Sequence, residues 1–268
     1  MNGPARQYAL LPLDTAIQEA IGFLRQNEPP EGYFVGFSGG KDSIVTLELC
    51  RMAGVRHQAY YSCTMIDPPE VVKFIRQYYP NVSWLYPKLK FWEGIRRYGP
   101  PLRYARWCCT TLKKNPSKQI PLANRVMGIR AEESKERAAQ PRIGYIEKRK
   151  QFIFKPIFNW MEWMIWDFIE GFSLPYPKLY EEGFDRIGCV VCPYVLHKNQ
   201  SRLNQRRNRW PMMYKVFEHA CRSWFESGRV DKSYPTFDLF LEAYYRGFET
   251  HKVAKVFRED QERLVPAA

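Results

Sequence analysis

Tyr33-Phe34-Val35-Gly36-Phe37-Ser38-Gly39-Gly40-Lys41-Asp42-Ser43-Ile44-Val45-Thr46-Leu47 decides how the chain is read. Its first five residues form a short aromatic and β-branched run, which predicts a buried strand. Gly39-Gly40 then lets the backbone turn sharply and approach a ligand, because no Cβ stands in the way. From Ser43 to Met52 the apolar positions Ile44, Leu47, Leu49 and Met52 predict a helix. The amides that open a helix carry partial positive charge and favour phosphate. Ser38 and Ser43 supply hydroxyls, Lys41 a mobile cation, and Asp42 a carboxylate suited to a helix start or to Mg²⁺. The spacing is not the G-x-x-x-x-G-K-[ST] of a Walker loop. A plain turn with a helix cap is the simpler alternative, since Ser, Gly and Asp are ordinary turn residues. Six such residues in unbroken succession, in a strand–turn–helix context, favour phosphate binding.

Working outward, Leu13 to Arg25 predicts an amphipathic helix with Ile17, Ala20, Ile21 and Leu24 on one side. Pro29, Pro30 and Gly32 end it. Further strands are predicted at Gln58 to Cys63, Val82 to Tyr86, Arg125 to Ile129 and Gln151 to Ile157. Helices are predicted at Glu70 to Tyr78 and Trp160 to Glu170, and Phe91 to Pro121 reads as a loop-rich stretch. This alternation predicts an α/β fold, a doubly wound and mainly parallel sheet with helices on both faces. From about Tyr194 the pattern turns helical and basic and ends in a charged tail. The expected organisation is a nucleotide-binding α/β domain over residues 1–193 and a helical basic region over 194–268.

Lys and Arg outnumber Asp and Glu by 41 to 28, a formal charge of +13. Part of the excess is concentrated in Arg202, Arg206, Arg207 and Arg209, with Lys198 just before them. Arg202, Arg206 and Arg209 stand at i, i+4 and i+7, one face of a helix. Such a surplus favours a polyanionic partner, nucleic acid or an acidic protein, over a merely solvated basic face. No run approaches the roughly 18–20 apolar residues of a membrane helix. Met1 to Leu11 lacks the plan of a signal peptide. The expectation is a cytoplasmic protein with no membrane partner.

Of the seven cysteines, Cys108-Cys109 and Cys189-x-x-Cys192 form two tight pairs, while Cys50, Cys63 and Cys221 are solitary. Pairing of this kind in a reducing compartment reads as metal ligation or redox chemistry rather than structural disulfides. Four thiolates can close one [4Fe–4S] cluster. A four-cysteine Zn²⁺ site is the main competitor, and free or redox-paired thiols are a third option.

The Ser38–Ser43 loop resembles that of the PP-loop ATP pyrophosphatases, of the adenine nucleotide α hydrolase-like fold, in which an S-G-G-x-D-S loop grips the pyrophosphate of ATP. Gly128-Ile129-Arg130-Ala131-Glu132-Glu133-Ser134 with Arg137 is similar to a G-x-R-x-x-E-S-x-x-R motif of the phosphoadenylylsulfate reductase branch. Lys155-Pro156-Ile157 with Trp160, and the run from Leu179-Tyr180 to Cys192-Pro193, extend the likeness. The resemblance implies that Ser38, Gly39, Gly40, Lys41, Asp42 and Ser43 bind ATP together with Arg130, Glu133, Ser134 and Arg137. Lys41, Asp42 and Arg130 would act in catalysis. It also implies an iron–sulfur cluster on Cys108, Cys109, Cys189 and Cys192, with Lys113 and Lys114 close by.

Two departures separate this sequence from the reductases it resembles. It has no E-C-G-x-H-type motif after Cys192, where only Cys221 follows. It also keeps the full loop, expected where ATP itself is cleaved. The resemblance therefore points to thio-modification: adenylation of an acceptor for sulfur transfer, as in DNA phosphorothioation ahead of tRNA thiolation. A cysteine desulfurase is the expected sulfur-donating partner, through Cys63, Cys221 or a cluster-bound sulfur. An adenylylsulfate or phosphoadenylylsulfate reductase is the rival enzyme. A non-catalytic ATP- and cluster-binding subunit is the rival from another class.

Overall fold

The strand Tyr33–Phe37 (β1) forms where the sequence predicts it, with every residue buried but Gly36. A computed structural model gives the structure and describes residues 12–103, 105–196, 199–229 and 234–247. Ahead of β1 lies helix α1, Leu13–Gln26, whose buried side is the predicted Ile17, Ala20, Ile21 and Leu24 with Ala16. Behind it, α2 runs Lys41–Ala53 and ends on Gly54, whose φ of +66° supplies the left-handed turn that L side chains resist. His57–Ser62 (β2), Pro69–Tyr78 (α3) and Ser83–Leu85 (β3) follow. After them come Asn124–Met127 (β4), Ile143–Ile146 (β5) and Gln151–Phe154 (β6).

The six strands lie in the order β3-β2-β1-β4-β6-β5. All neighbours are parallel except the β5–β6 hairpin. The chain therefore winds outward in both directions from β1 and β4, which pair directly. In open parallel sheets that switch point is where ligands gather, at the carboxyl ends of the strands. Ser38 follows β1 and Gly128 follows β4, so both predicted motifs start there. Helix α4, Phe91–Tyr98, occupies part of the stretch expected to be loop-rich. Its buried Phe91, Ile95 and Tyr98 carry the i, i+4, i+7 period, and Gly94 leaves room for the Trp107 ring. A Cβ at Gly94 would stand 2.2 Å from that ring.

The chain divides into two compact units, and the division is discontinuous. The first comprises residues 1–62, 69–85 and 120–187 and holds the whole sheet, with α5, Glu162–Gly171, packed on α1 and α2. The second comprises 63–68, 86–119 and 188–268. It adds α6 (Gln200–Arg209), α7 (Pro211–Trp224) and α8 (Phe237–Arg246) to the basic loop. Its core is aromatic, with Phe91 stacked on Trp107 and on Phe217, and Phe217 against Tyr244. The helical C-terminal region expected from residue 194 thus shares its core with the Cys108-Cys109 segment. The charged tail from residue 248 and Lys198 lie outside the described residues.

Candidate functional site

In the first unit, Gly39 turns the chain out of β1 with φ +74°, and a Cβ there would press at 3.0 Å on Ile75 and Val71. The turn is tied by the two serines. Ser43 Oγ accepts from Ser38 N at 3.1 Å and donates to Gly40 O at 2.8 Å. No side chain caps the start of α2. The Lys41 amide there donates to the Tyr180 hydroxyl at 2.9 Å. Burial, above all, pushes that hydroxyl's pKa up, so it stays neutral and able to accept.

Lys41 is buried, and its ammonium lies 3.1 Å from Glu162 and donates to Asp185 O at 3.1 Å, 5.2 Å from the centre of the Tyr180 ring. Arg130, equally buried, enters from the loop after β4. Its Nε donates to Asp42 Oδ1 at 2.6 Å, and Nη1 pairs with Glu132. The close approach of the two loops depends on Gly128, where a Cβ would stand 2.7 Å from Asp42 O. The structure therefore brings Lys41, Asp42 and Arg130 into one unit, with Arg130 bonded directly to Asp42. Glu133, Ser134 and Arg137 form the turn behind it. Glu133 accepts from Arg130 N at 3.2 Å and pairs with Arg137, and Ser134 caps the next turn by accepting from Arg137 N. Tyr180, Glu162 and Asp185 are the site residues that sequence reading left without a role. Glu162 lay unremarked within the helix predicted from Trp160 to Glu170.

The second unit holds all four paired cysteines. Cys108 is buried, and Cys109 opens a π-helical turn, Cys109–Lys114. Cys189 Sγ lies 3.5 Å from Asp67 Oδ1 and 3.7 Å from Thr64 Oγ1, which donates to Asp67 Oδ2 at 2.7 Å. The four thiols act on one another electrostatically. A hydrogen bond with Cys109, then burial, then the charges of Cys109, Cys189 and Cys192 push Cys108 well up. The reciprocal bond from Cys108, with the cations Lys113, Arg106 and Lys114, holds Cys109 down at about 6. Burial pushes Cys189 up to about 12. Cys189 first, then Asp67, Cys109 and Cys192, raise Lys113 against its burial. Four soft sulfur donors beside a half-buried cation suit a metal or an iron–sulfur cluster in kind. Among the described residues, however, no three Cys, His, Asp or Glu side chains stand in a metal-binding arrangement.

The expected basic face of Arg202, Arg206 and Arg209 is corrected at Arg206. Arg206 points inward and is 3% exposed, donating through Nη1 to Cys189 O at 3.2 Å and Gly188 O at 3.5 Å. Arg207 pairs with Glu218. A helical period places residues on one face but does not say whether that face meets solvent. Cys221, a proposed sulfur relay, is fully buried in α7, and burial raises its thiol well above the usual range. That is core chemistry, not relay chemistry. Cys63 is half-buried. No helix among the described residues is long and apolar enough to cross a membrane.

Residues 32–195, more than half of the chain, match the phosphoadenosine phosphosulfate reductase domain, so the chain belongs to that family. The family is one of nucleotide-utilising enzymes. An uncharacterized protein of Methanocaldococcus jannaschii is 32% identical over 237 residues, covering 83% of this chain and 48% of that protein. The adenosine 5'-phosphosulfate reductase of Staphylococcus haemolyticus is 24% identical over 182 residues, 65% of this chain and 74% of its own length. The chain thus spans about half the length of the archaeal relative. The crystal structure of phosphoadenylyl-sulfate reductase from Candida auris, a phosphate complex, superposes with a TM-score of 0.53 at 19% identity. It covers 66% of this chain and 93% of that one, a likeness of fold.

Proposed function

We propose that the chain is an ATP pyrophosphatase that adenylates an acceptor for sulfur transfer, with a DNA backbone phosphate as the acceptor and a tRNA as the second choice. The observation that carries this reading is the unbroken Ser38–Ser43 loop, folded at the switch point with Arg130 bonded to Asp42. A non-bridging phosphate oxygen of the acceptor attacks the α-phosphorus of ATP. The bond from that phosphorus to the β-phosphate bridge breaks and pyrophosphate leaves. The terminal sulfur of a cysteine desulfurase persulfide then displaces AMP from the acceptor phosphorus, and an external thiol cleaves the remaining S–S bond, leaving the phosphorothioate and a disulfide. Lys41 and Arg130 stabilise charge on the departing pyrophosphate, the effect that dominates such transfers. Ser38, Gly39, Gly40 and Ser43 shape the cradle. Glu133, Ser134 and Arg137 keep Arg130 in place. Asp42 would hold Mg²⁺ against the phosphates.

Cys108, Cys109, Cys189 and Cys192 would hold a [4Fe–4S] cluster, with Zn²⁺ as the alternative. The cluster supplies thiophilic iron able to carry sulfur or electrons. The chain's own residues shield that site through the half-buried Lys113 and the buried Arg206, which offset anionic charge there.

Product analysis tests the activity. With ATP and Mg²⁺, AMP and pyrophosphate are expected, and ADP with phosphate would overturn α–β cleavage. Nuclease digestion and mass spectrometry of DNA treated together with a desulfurase should reveal phosphorothioate linkages. The family match favours one rival, an adenylylsulfate reductase, which sulfite release from adenylylsulfate and a thiol would identify. Against it stands the unbroken Ser38–Ser43 loop, expected where ATP itself is cleaved. Anaerobically purified protein is expected to be brown with about four irons per chain. Colourless protein with one zinc after reconstitution would favour the zinc site.

A further inference from the structure

The second unit carries almost all of the chain's charge. By sequence it has 23 Lys and Arg against 11 Asp and Glu, a surplus of 12, whereas the first unit is nearly balanced at 18 against 17. Residues 86–119 contribute nine of those cations against the lone acid Glu93. Three of the cations described on the later helices pair with carboxylates: Arg207 with Glu218, Arg222 with Asp238 and Arg246 with Glu242. Arg103 and Arg106 are different. Neither pairs with a carboxylate among the described residues. Instead, both guanidinium carbons sit 5.0 Å from the centre of one ring, that of Tyr194, which is 43% exposed.

Two like charges drawn to one ring lie no more than twice that distance apart, so they repel each other. The ring's negative face offsets part of that cost. An anion lying across both would remove the rest, and guanidinium forks match phosphate oxygens geometrically. Cys109 N donates to Arg106 O at 3.0 Å, so the pair stands one short turn from the vicinal cysteines.

We propose that Arg103 and Arg106, gathered on the exposed ring of Tyr194, form a phosphate clamp that seats the nucleic-acid backbone beside Cys109. The inference rests on the nucleic-acid acceptor proposed above. It moves the contact from the arginines of α6, one of which is buried, to the loop ahead of the cysteines. Phosphate contacts of this kind fix register and orientation without reading sequence.

The test is fluorescence anisotropy of the full chain with a fluorescein-labelled 20-base-pair DNA duplex across roughly 50–200 mM salt. Replacing both residues (Arg103→Ala with Arg106→Ala) should lower affinity on the order of ten-fold at the low-salt end. It should also flatten the log–log salt slope by about two, since each lost contact removes about 0.9. Tyr194→Leu should give part of that loss and Tyr194→Phe almost none, because phenylalanine keeps the ring. ATP binding, followed by calorimetry on the same proteins, should not change. A wild-type chain that binds no duplex overturns the acceptor reading and the clamp together. Wild-type binding with an unchanged double variant overturns the clamp alone. Equal losses of ATP and duplex binding overturn it in favour of a nucleotide subsite.

Discussion

The two units hold the cations of their candidate sites in opposite ways. In the first, Lys41 and Arg130 are met by the carboxylates of Glu162, Asp42 and Glu132, within a unit whose total charge is close to zero. In the second, Arg206 is met by backbone carbonyls, and Lys113 chiefly by the thiol of Cys189, within a unit of large positive surplus. A site that must take up a polyphosphate and release it benefits from cations already oriented by local acids, with little net attraction at long range. A unit that carries its charge outward attracts a polyanion over a Debye length and positions it by many weak contacts. The same residue types thus serve short-range chemistry in one unit and long-range capture in the other.

The sharpest way to break this comparison is to remove a cation from the first unit. Lys41→Ala or Asp42→Ala should cut AMP and pyrophosphate formation by about 10²–10³-fold, the scale of a lost transition-state donor. Duplex affinity should be unchanged. If both variants lose duplex binding equally, the division of labour fails.

The second unit offers the next largest effect. Arg206→Leu removes the donors to Cys189 O and Gly188 O and should destabilise by about 2–3 kcal/mol, the penalty of leaving buried acceptors unpaired. Thermal melts would show it, and hydrogen exchange should localise it to residues 188–206 with the sheet amides still protected. Gly39→Ala is the counterpart in the first unit. Its φ of +74° and the 3.0 Å contacts of a new Cβ should cost about 1–2 kcal/mol, with loss of ATP binding ahead of loss of fold.

Much of the first unit was legible because its signals are local. The strand–turn–helix around Ser38–Ser43 announces itself through residues adjacent in sequence, and Gly128 and Arg130 come at the end of a short strand marked by Val126 and Met127. Strand β5 was missed because only four residues form it, and Ile143 and Tyr145 face outward at a sheet edge. The stretch predicted as Gln151 to Ile157 stops at Phe154, since Pro156 offers no amide to continue the ladder. Tyr180 and Glu162 were invisible as partners of Lys41 because chain separation hides them. In the second unit the cysteine pairs could be found by spacing. Helix α4 was hidden among prolines and arginines, although its period was present. The inward turn of Arg206 could not have been read at all: a basic helix looks solvated until something packs over it.

The smallest expected effect concerns the thiols and tests whether the second unit's cations act at short range too. The hydrogen bond from Cys108, helped by Lys113, Arg106 and Lys114, holds Cys109 down at about 6, whereas an ordinary thiol titrates near 8.5. In metal-free protein Cys109 is therefore already a thiolate at neutral pH. Its alkylation by iodoacetamide should level off above about pH 7 and fall as pH drops through 6. A free thiol keeps accelerating up to its own, higher pKa. A low pKa also weakens the nucleophile, by about 0.4–0.5 log units of rate per pKa unit. The net advantage of Cys109 over a model thiol at neutral pH should thus be only about two-fold. Cys50 and Cys221, buried in apolar surroundings, should stay unmodified until the chain unfolds. Mass spectrometry of labelled peptides against pH reads all three at once. A Cys109 profile with its midpoint near 8.5 would show that the neighbouring cations are too well screened to act on the cysteine pair.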